Sequence, residues 1–280
     1  MWVSVRSSSL ALMLAAGLAA SVPAWAEPAP ARVVSINLCT DQLAMLLAAP
    51  GQLRSVTMLA RDPSVSVLAE LAQGYKVNHG KAEEIYLDRP DLVLAGRYTA
   101  QTTVNMLRDL GIRVEIFEPA QSFADLRADI LQMGQVLGRD RAAAEIVAAF
   151  DTRLAQLQAK QPEGPRPVAA TWSARGYMSG SQSLAAEIIS TAGYDHLAER
   201  LGRKGGSFLP LEALVLADPD LVIEGHSRAG HARSEEVMAH PALHVLTGRK
   251  AAVQTPDWVC GLPAVLDAVE GLRTGQEGAQ

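Results

Sequence analysis

The fold is decided by a segment that the chain carries twice, EEIYLDRPDLVLAG at residues 83–96 and EALVLADPDLVIEG at residues 212–225. The two copies align without a gap. In each, an apolar helical face is followed by a Pro-Asp break and a short β-rich run, which predicts a helix–turn–strand unit. A unit copied once at about half the chain length predicts two similar lobes. Two lobes enclose a cleft, and a cleft is a usual place for a ligand.

The N-terminus has the pattern of an export signal. Arg6 supplies a positive charge, residues 10–20 form a short apolar core, and Ala24-Trp25-Ala26 is a small-x-small cleavage site. The core is too short to span a bilayer. We therefore expect residues 1–26 to be removed after Ala26 and the mature protein to be free in an exported compartment.

The charge balance bears on the class of partner. The chain has 25 basic and 30 acidic residues, a formal net charge of −5. Binding to a nucleic acid backbone requires clustered lysine and arginine, so nucleic acid is not expected as a partner. The length left after export is enough for two domains of roughly 100–120 residues, each with its own core.

Strands and helices alternate with short connections, a pattern typical of parallel sheets covered by helices. Apolar spacing from Asp140 to Lys160 predicts a helix about 30 Å long that joins the lobes and limits their closure. The fold class is therefore α/β, with two Rossmann-like lobes, parallel sheets and a cleft between them. The predicted divisions are a signal peptide at 1–26, an N-terminal lobe at 27–138, an interlobe helix at 139–160, a C-terminal lobe at 161–273 and a flexible tail at 274–280.

Cys39 and Cys260 are the two cysteines of the chain, and they fall in opposite lobes. Three readings remain open. A disulfide is compatible with an oxidising compartment but would lock the cleft. Buried, inert thiols are the main expectation, and a ligand or redox role for the cysteines is the third reading.

Loops that follow strands are the candidates for ligand contact, because ligands of open parallel sheets bind at the carboxyl ends of the strands. Aromatic side chains there offer flat apolar faces, and arginines clamp carboxylates or phosphates. Core packing for Trp172 and ordinary solvation for each arginine stay open as alternatives, as does a surface role for His79. No metal-site spacing occurs, so no bound metal is expected. The candidates chosen on these grounds are Cys39, Tyr98, Trp172, Arg175, Phe208, His226, Arg228 and Trp258. His79, in the loop just before the first copied helix, is a further candidate.

Glu83 and Glu212 open the helices of the two copies. A carboxylate in the first turn is stabilised by the helix dipole, which is a sufficient structural explanation. The alternative is docking, because the two glutamates lie on the same side, one on each lobe. A third motif, Gly225-His226-Ser227-Arg228-Ala229, approximates the nucleophile elbow of hydrolases. The acid and histidine do not follow in the required order, so a serine hydrolase that uses Ser227 is only a remote alternative.

The chain resembles the periplasmic substrate-binding proteins of ABC importers, in the class that handles ferric siderophores, haem and cobalamin. The resemblance runs from RVVSINLCTDQL at residue 32, through ERLGRKGGSFLPLEALVLADPDLVIEG, to TPDWVCGLPAVLDAVEGL ending at residue 272. It implies two lobes joined by one long helix and a ligand held between them. It also implies that Glu83 and Glu212 dock onto arginines of the membrane permease. By similarity to cobalamin-binding members, the cleft positions are Leu59, Asp62, Trp172, Phe208, Asp257 and Trp258.

The function expected from this resemblance is capture of a metal chelate in the periplasm and its delivery to an ABC importer. The chelate is a cobalamin or related corrinoid, or a ferric siderophore. Haem, a free metal ion or another small solute is the alternative. The protein is expected to be a monomer and not an enzyme, to need no cofactor of its own, and to contact the membrane only through the permease dimer.

Overall fold

The computed structural model describes residues 1–2, 28–161, 164–225, 233–247 and 251–277. Nearly all of the predicted signal peptide therefore lies outside the described residues. Within the described ranges, no helix combines the length and the hydropathy that a membrane crossing requires.

The first lobe is a five-stranded sheet in the order β3-β2-β1-β4-β5, and every neighbouring pair is parallel. This confirms the predicted sheet type. The inner strand β4 is buried along its whole length, as expected for a strand with helices on both faces. The elements are β1 (Val33–Ser35), α1 (Leu38–Leu47), β2 (Leu53–Thr57), α2 (Ala69–Ala72), β3 (Lys76–Asn78), α3 (Ala82–Leu87), β4 (Leu92–Gly96), α4 (Gln101–Asp109), β5 (Val114–Phe117) and α5 (Phe123–Leu137).

Polar side chains cap two helices of this lobe. The Asn37 Oδ1 accepts hydrogen bonds from the backbone N–H of Cys39 at 3.0 Å and of Thr40 at 3.3 Å, which starts α1. The Ser122 hydroxyl accepts from the backbone N–H of Asp125 at 3.1 Å and starts α5. The first of these caps fixes where the cysteine of α1 points.

The lobes are joined by α6 (Asp140–Ala159), which confirms the predicted long helix. Its Phe150 packs edge-on against Phe123 of α5, with the ring centroids 5.6 Å apart. One buried apolar cluster also runs through both lobes, and it includes Leu43 and Leu126 of the first lobe and Leu266 of the second. Because the lobes share a core, a wide opening between them would expose apolar surface to water.

The second lobe has a four-stranded parallel sheet in the order β11-β10-β6-β8. A separate antiparallel pair, β7–β9, was not predicted, because two-residue strands leave no periodic signal. The elements are β6 (Val168–Trp172), β7 (Tyr177–Met178), α7 (Leu184–Thr191), β8 (Asp195–His196), α8 (Leu197–Arg200), β9 (Ser207–Phe208), α9 (Leu211–Ala217), β10 (Leu221–Glu224), α10 (Pro241–Thr247), β11 (Ala251–Val253) and α11 (Val265–Glu277).

The end of the chain differs from the prediction. A flexible tail was expected from residue 274, but α11 continues to Glu277, and residues 278–280 lie outside the described part. Val269 and Leu272 are buried and carry the helix to its last turns. The Arg273 guanidinium also donates to the backbone oxygen of Thr191 at 2.7 Å. These contacts outweigh the low helix propensity of the glycines in this stretch.

The two copied segments fold alike, as α3–β4 and α9–β10, and each ends on a glycine in a crowded place. A Cβ on Gly96 would lie 2.7 Å from the Asn37 Nδ2, and one on Gly225 would lie 2.4 Å from the Ser173 Cβ. In both lobes the glycine therefore lets the residue after a neighbouring strand approach closely. The copies thus shape the same edge of each sheet.

Candidate ligand cleft

A cavity of about 410 Å³ lies between the lobes at the carboxyl ends of β4 and β5. Tyr98 and Phe117 line it from the first lobe, and Ser183, Gln254 and Trp258 line it from the second. A neighbouring hollow of about 480 Å³ shares Tyr98 with this cavity. The position is the one where open parallel sheets bind ligands, and the size lies within the range of small-molecule sites.

A disulfide between Cys39 and Cys260 joins the two lobes at this cavity, with the Cα atoms 5.3 Å apart. The expectation of buried, inert thiols is therefore wrong. The Asn37 cap directs the first turn of α1 toward the loop after residue 258, so cysteines 221 positions apart in the sequence meet. Cys39 keeps its predicted place in the cleft, but as half of a covalent crosslink and not as a free thiol.

Gln42 connects the disulfide to the first lobe. Its amide nitrogen donates to the Cys260 sulfur at 3.4 Å. Its amide oxygen accepts from the Ser66 hydroxyl at 3.2 Å and from the backbone N–H of Val67 at 2.9 Å. The Gln42 side chain is fully buried, and its bonds to Cys260 and Ser66 are shielded from water and help to fix the crosslink.

The rim of the cavity in the first lobe carries charges and an exposed ring. Arg97 and Glu118 form an ion pair of 3.3 Å at the ends of β4 and β5. The Tyr98 side chain is 86% exposed beside them. An exposed ion pair is weak, so Arg97 is able to exchange Glu118 for an anionic ligand group. Arg97 and Glu118 both follow strands of the parallel sheet, at the positions where contact with a ligand is expected.

Asp129 is a further lining residue that the sequence analysis missed. Burial, followed by the charges of Asp125 and Glu118, raises the pKa of the Asp129 carboxyl to about 7. The carboxyl therefore carries a proton in a large part of the molecules near neutral pH and is able to donate a hydrogen bond into the cleft. Its place on α5, one residue from the buried Ile130, gave no sign of this role in the sequence.

Trp172 was predicted to contact the ligand, but the structure places it in the core of the second lobe. Its side chain is 0% exposed, and its indole nitrogen donates to the backbone oxygen of Leu209 at 3.1 Å. Strand β6 is buried on both faces, so the last side chain of the strand points into the core and not into the cleft. The alternative of core packing is the one the structure supports.

The structure brings only some of the predicted residues to the cleft. The structure brings Cys39, Tyr98 and Trp258 together in the cavity lining. Among the described residues that line this cavity, none is Leu59, Asp62, His79, Arg175, Phe208 or Asp257. Leu59 and Asp62 lie in the turn after β2, and Phe208 lies in the β7–β9 pair. The backbone N–H of His79 donates to the Glu84 carboxylate at 2.9 Å. Arg175 is a turn residue with left-handed backbone, and Asp257 directly precedes Trp258. His226, Ser227 and Arg228 lie outside the described residues, while Glu83 and Glu212 are exposed on α3 and α9.

Asp41 lies beside the crosslink on α1 and is fully buried. Its carboxylate accepts hydrogen bonds from the Thr57 backbone N–H at 3.0 Å and from the Thr57 hydroxyl at 2.5 Å. Burial nevertheless dominates and raises the pKa of the Asp41 carboxyl to about 7. At pH values above 7 the folded protein must therefore hold a buried negative charge.

We expect Asp41→Asn to become more stable relative to the wild type as the pH rises. The folded carboxyl binds its proton up to about pH 7, whereas an unfolded aspartate loses it near pH 4. The contribution of this carboxyl to the free energy of unfolding of the wild type is therefore fully present below about pH 4 and is lost as the pH rises to 7. The stability difference between variant and wild type should rise across this window by at most about 1.4 kcal/mol per pH unit. Urea titrations at pH 4 to 8 measure it, with the exposed Asp109→Asn as the control; parallel profiles for Asp41→Asn and wild type would contradict the assignment.

Residues 33–253 match the model of the periplasmic binding protein family. The chain belongs to this family. The resemblance found in the sequence is thereby confirmed, and the comparisons give the hydrolase alternative no support. A cobalamin-binding protein of Halobacterium salinarum is 27% identical over 201 residues, which cover 71% of this chain and 54% of the relative. The chain thus spans about half the length of the curated relatives that it matches.

Solved structures share the fold of this periplasmic binding protein. A possible iron-binding periplasmic protein of Staphylococcus epidermidis has a TM-score of 0.72 at 17% identity, with 88% of this chain and 98% of that chain covered. A periplasmic haem-binding protein of Vibrio cholerae has a TM-score of 0.71 at 21% identity, with the same coverage. A periplasmic vitamin B12-binding protein of Vibrio cholerae has a TM-score of 0.67 at 15% identity, covering 90% and 98%. At these identities the likeness shows the two-lobed fold alone.

Proposed function

We propose that this protein captures a cobalt- or iron-containing chelate in the periplasm and delivers it to the permease dimer of an ABC importer. Cobalamin or a related corrinoid is the first candidate, and a ferric siderophore is the second. The protein works by binding and release as a monomer, without catalysis and without a resident cofactor. Its contact with the membrane runs through the permease.

The observation that carries this proposal is the cleft between two lobes that share one core. Trp258 and Tyr98 offer ring faces to a bulky ligand. Arg97, and Asp129 in the molecules where its carboxyl carries a proton, offer hydrogen bonds for the polar substituents of the ligand. A corrinoid has both an extended apolar ring system and many amide groups, so it suits this mixture. The name of the Halobacterium relative, a cobalamin-binding protein, supports the same candidate.

Export is supported by the crosslink. Disulfides persist in oxidising compartments such as the periplasm and are rare in the cytosol. The bond between Cys39 and Cys260 therefore agrees with the signal pattern of residues 1–26. We infer that cleavage follows Ala26 and that the crosslink forms after export.

Haem is a further candidate for the ligand because of Tyr98. Tyr98 places an exposed phenol on the cavity wall, and tyrosine is an axial ligand of haem iron in some proteins. A haem complex through this residue would have a visible absorption spectrum that changes in Tyr98→Phe. A corrinoid complex would keep the spectrum of the free ligand in that variant.

The proposal is tested by thermal denaturation of the mature protein with cobalamin, haem and several ferric siderophores. A ligand present at 100 times its dissociation constant adds about 2.7 kcal/mol of stability and gives a clear shift. With the ligand so identified, Trp258→Ala should weaken binding about 10- to 100-fold, because a buried tryptophan contact is commonly worth roughly 1.5–3 kcal/mol. Calorimetry measures this loss.

Two further variants keep that experiment decisive. Tyr98→Ala removes an exposed ring of the same cleft and does not disturb the core, so its effect on affinity reports the site even if Trp258→Ala folds poorly. Tyr86→Ala removes a ring from α3, outside the cavity, and should bind as the wild type does. If no chelate in the panel stabilised the protein, the proposed ligand class would be wrong.

A further inference from the structure

The two copied helices expose the same positions to solvent. From residue 83 to 90 and from residue 212 to 219 the sequence of exposed, half-buried and buried side chains is identical, position by position. Leu87 is 77% exposed and Leu216 is 87% exposed, more than any other leucine among the described residues. The exposed side chains are Glu83, Tyr86, Leu87 and Arg89 in the first copy and Glu212, Val215, Leu216 and Asp218 in the second.

Each exposed leucine shares a helix face with a glutamate. Glu83 and Leu87 are four residues apart on α3, and Glu212 and Leu216 are four apart on α9. Residues at this spacing are neighbours on a helix surface. Each lobe thus presents one carboxylate beside one apolar side chain, and we call these two patches the paired Glu–Leu patches.

The surrounding structure holds the leucines outward. Ile85 and Leu214, two residues before them, are fully buried and fix the inner face of each helix. The turn that follows contains Arg89 at φ 47° and Asp218 at φ 40°, each in front of a buried proline. Left-handed backbone at a residue other than glycine is uncommon, and the two copies have it at the same position. The same turn therefore follows both helices, and it helps to hold each leucine toward solvent.

One exposed leucine on each lobe is best matched by a partner that presents the same surface twice. A dimer of identical subunits offers two equal surfaces related by a two-fold axis, which suits one patch per lobe. A second copy of this chain fits poorly, because patch against patch would bring acidic side chains together. The partner that suits the paired Glu–Leu patches has, on each subunit, a basic side chain next to an apolar recess.

We propose that Leu87 and Leu216 insert into apolar recesses on the two subunits of the importer permease and supply most of the docking affinity. This inference rests on the proposed function, since it takes the permease as the partner. An exposed ion pair changes affinity by no more than about fivefold. Full burial of a leucine side chain changes it by at least about tenfold. The glutamates orient the complex, and the leucines hold it together.

The test uses the mature protein and its ABC importer, purified and embedded in nanodiscs. Leu87→Ser combined with Leu216→Ser should weaken binding to the importer at least about 100-fold, while the affinity for the chelate stays unchanged. The matched control is Leu110→Ser with Leu201→Ser. These leucines also lie at helix ends, one in each lobe, but are only 44% and 43% exposed. The control pair should bind as the wild type does.

Salt separates the two kinds of contact. At about 1 M salt the screening length falls to about 3 Å, so the contribution of the glutamates fades and that of the leucines persists. The loss caused by the leucine pair should therefore be as large at high salt as at low salt. A structural role would instead show as a lower melting temperature of the variant, which its exposed positions do not predict.

The outcomes distinguish this inference from the function on which it rests. If the wild type binds the importer and the leucine pair binds equally well, the inference is overturned and the proposed function stands. If the wild type neither binds the importer nor stimulates its ATPase, the proposed function fails and the inference with it. If the wild type forms a dimer that Leu87→Ser and Leu216→Ser dissolve, the patches bind a second copy of the chain, which also overturns the inference.

Discussion

Replacing Cys39 and Cys260 together by serine is expected to lower the free energy of unfolding by about 2–5 kcal/mol. The crosslink joins residues 221 positions apart, so its loss frees most of the chain in the unfolded state. It also leaves the buried amide of Gln42 without its sulfur partner. Urea denaturation of the wild type and the variant measures the difference, and reduction of the wild type with a thiol should reproduce it.

Two controls sharpen this experiment. Alanine in place of both cysteines separates the loss of the bond from the cost of burying a serine hydroxyl, which is largest at the buried Cys260. The thiol should leave the denaturation midpoint of either double variant unchanged. Equal midpoints for oxidised and reduced wild type would show that the crosslink does not stabilise the fold.

The crosslink also bears on how the cleft moves. A disulfide between the lobes restricts the opening of the cleft, and this restriction weighs against the pairing of the two cysteines in the sequence. The shared core that contains Leu43, Leu126 and Leu266 imposes the same restriction without the bond. We therefore expect ligand binding to cause only small changes at the rim, near Tyr98, while the floor of the cleft stays fixed.

The sequence predicted the elements whose signals are local. The long helix predicted from Asp140 to Lys160 is observed from Asp140 to Ala159. The parallel sheets follow from the alternation of strands and helices, and the two lobes from the copied segment. These features depend on residues within one or two turns of each other, so a periodic pattern is enough to reveal them.

The sequence did not reveal the features that depend on distant partners. The pairing of Cys39 with Cys260 depends on how α1 is aimed at the second lobe. The burial of Trp172 depends on the residues that cover the end of β6, because position at a strand end does not fix the direction of a side chain. The raised pKa of the Asp129 carboxyl comes first from its burial by the surrounding elements, and then from the charges of Asp125 and of Glu118, which follows a different element. All three are tertiary effects.

Reversing the charge of Glu83 and Glu212, each to arginine, is expected to weaken docking to the importer more than 100-fold. Truncation of both to alanine should cost much less, because an exposed ion pair contributes only about 0.2–1 kcal/mol. Charge reversal differs in kind, since like charges held against each other cost several kcal/mol. Stimulation of the importer ATPase at a fixed protein concentration should therefore fall slightly for the alanine pair and vanish for the arginine pair.

The arginine pair changes the net charge as well as the patches, so its control must carry the same change. Glu70→Arg with Glu199→Arg replaces exposed acidic residues, one in each lobe and neither on α3 or α9. Its long-range attraction to the membrane and importer matches that of the test pair. Loss of stimulation in both pairs would mean that overall charge governs docking. Loss in the Glu83 and Glu212 pair alone would place the contact on the copied helices, because the proposed docking sets the reversed charge there against a cation of the permease.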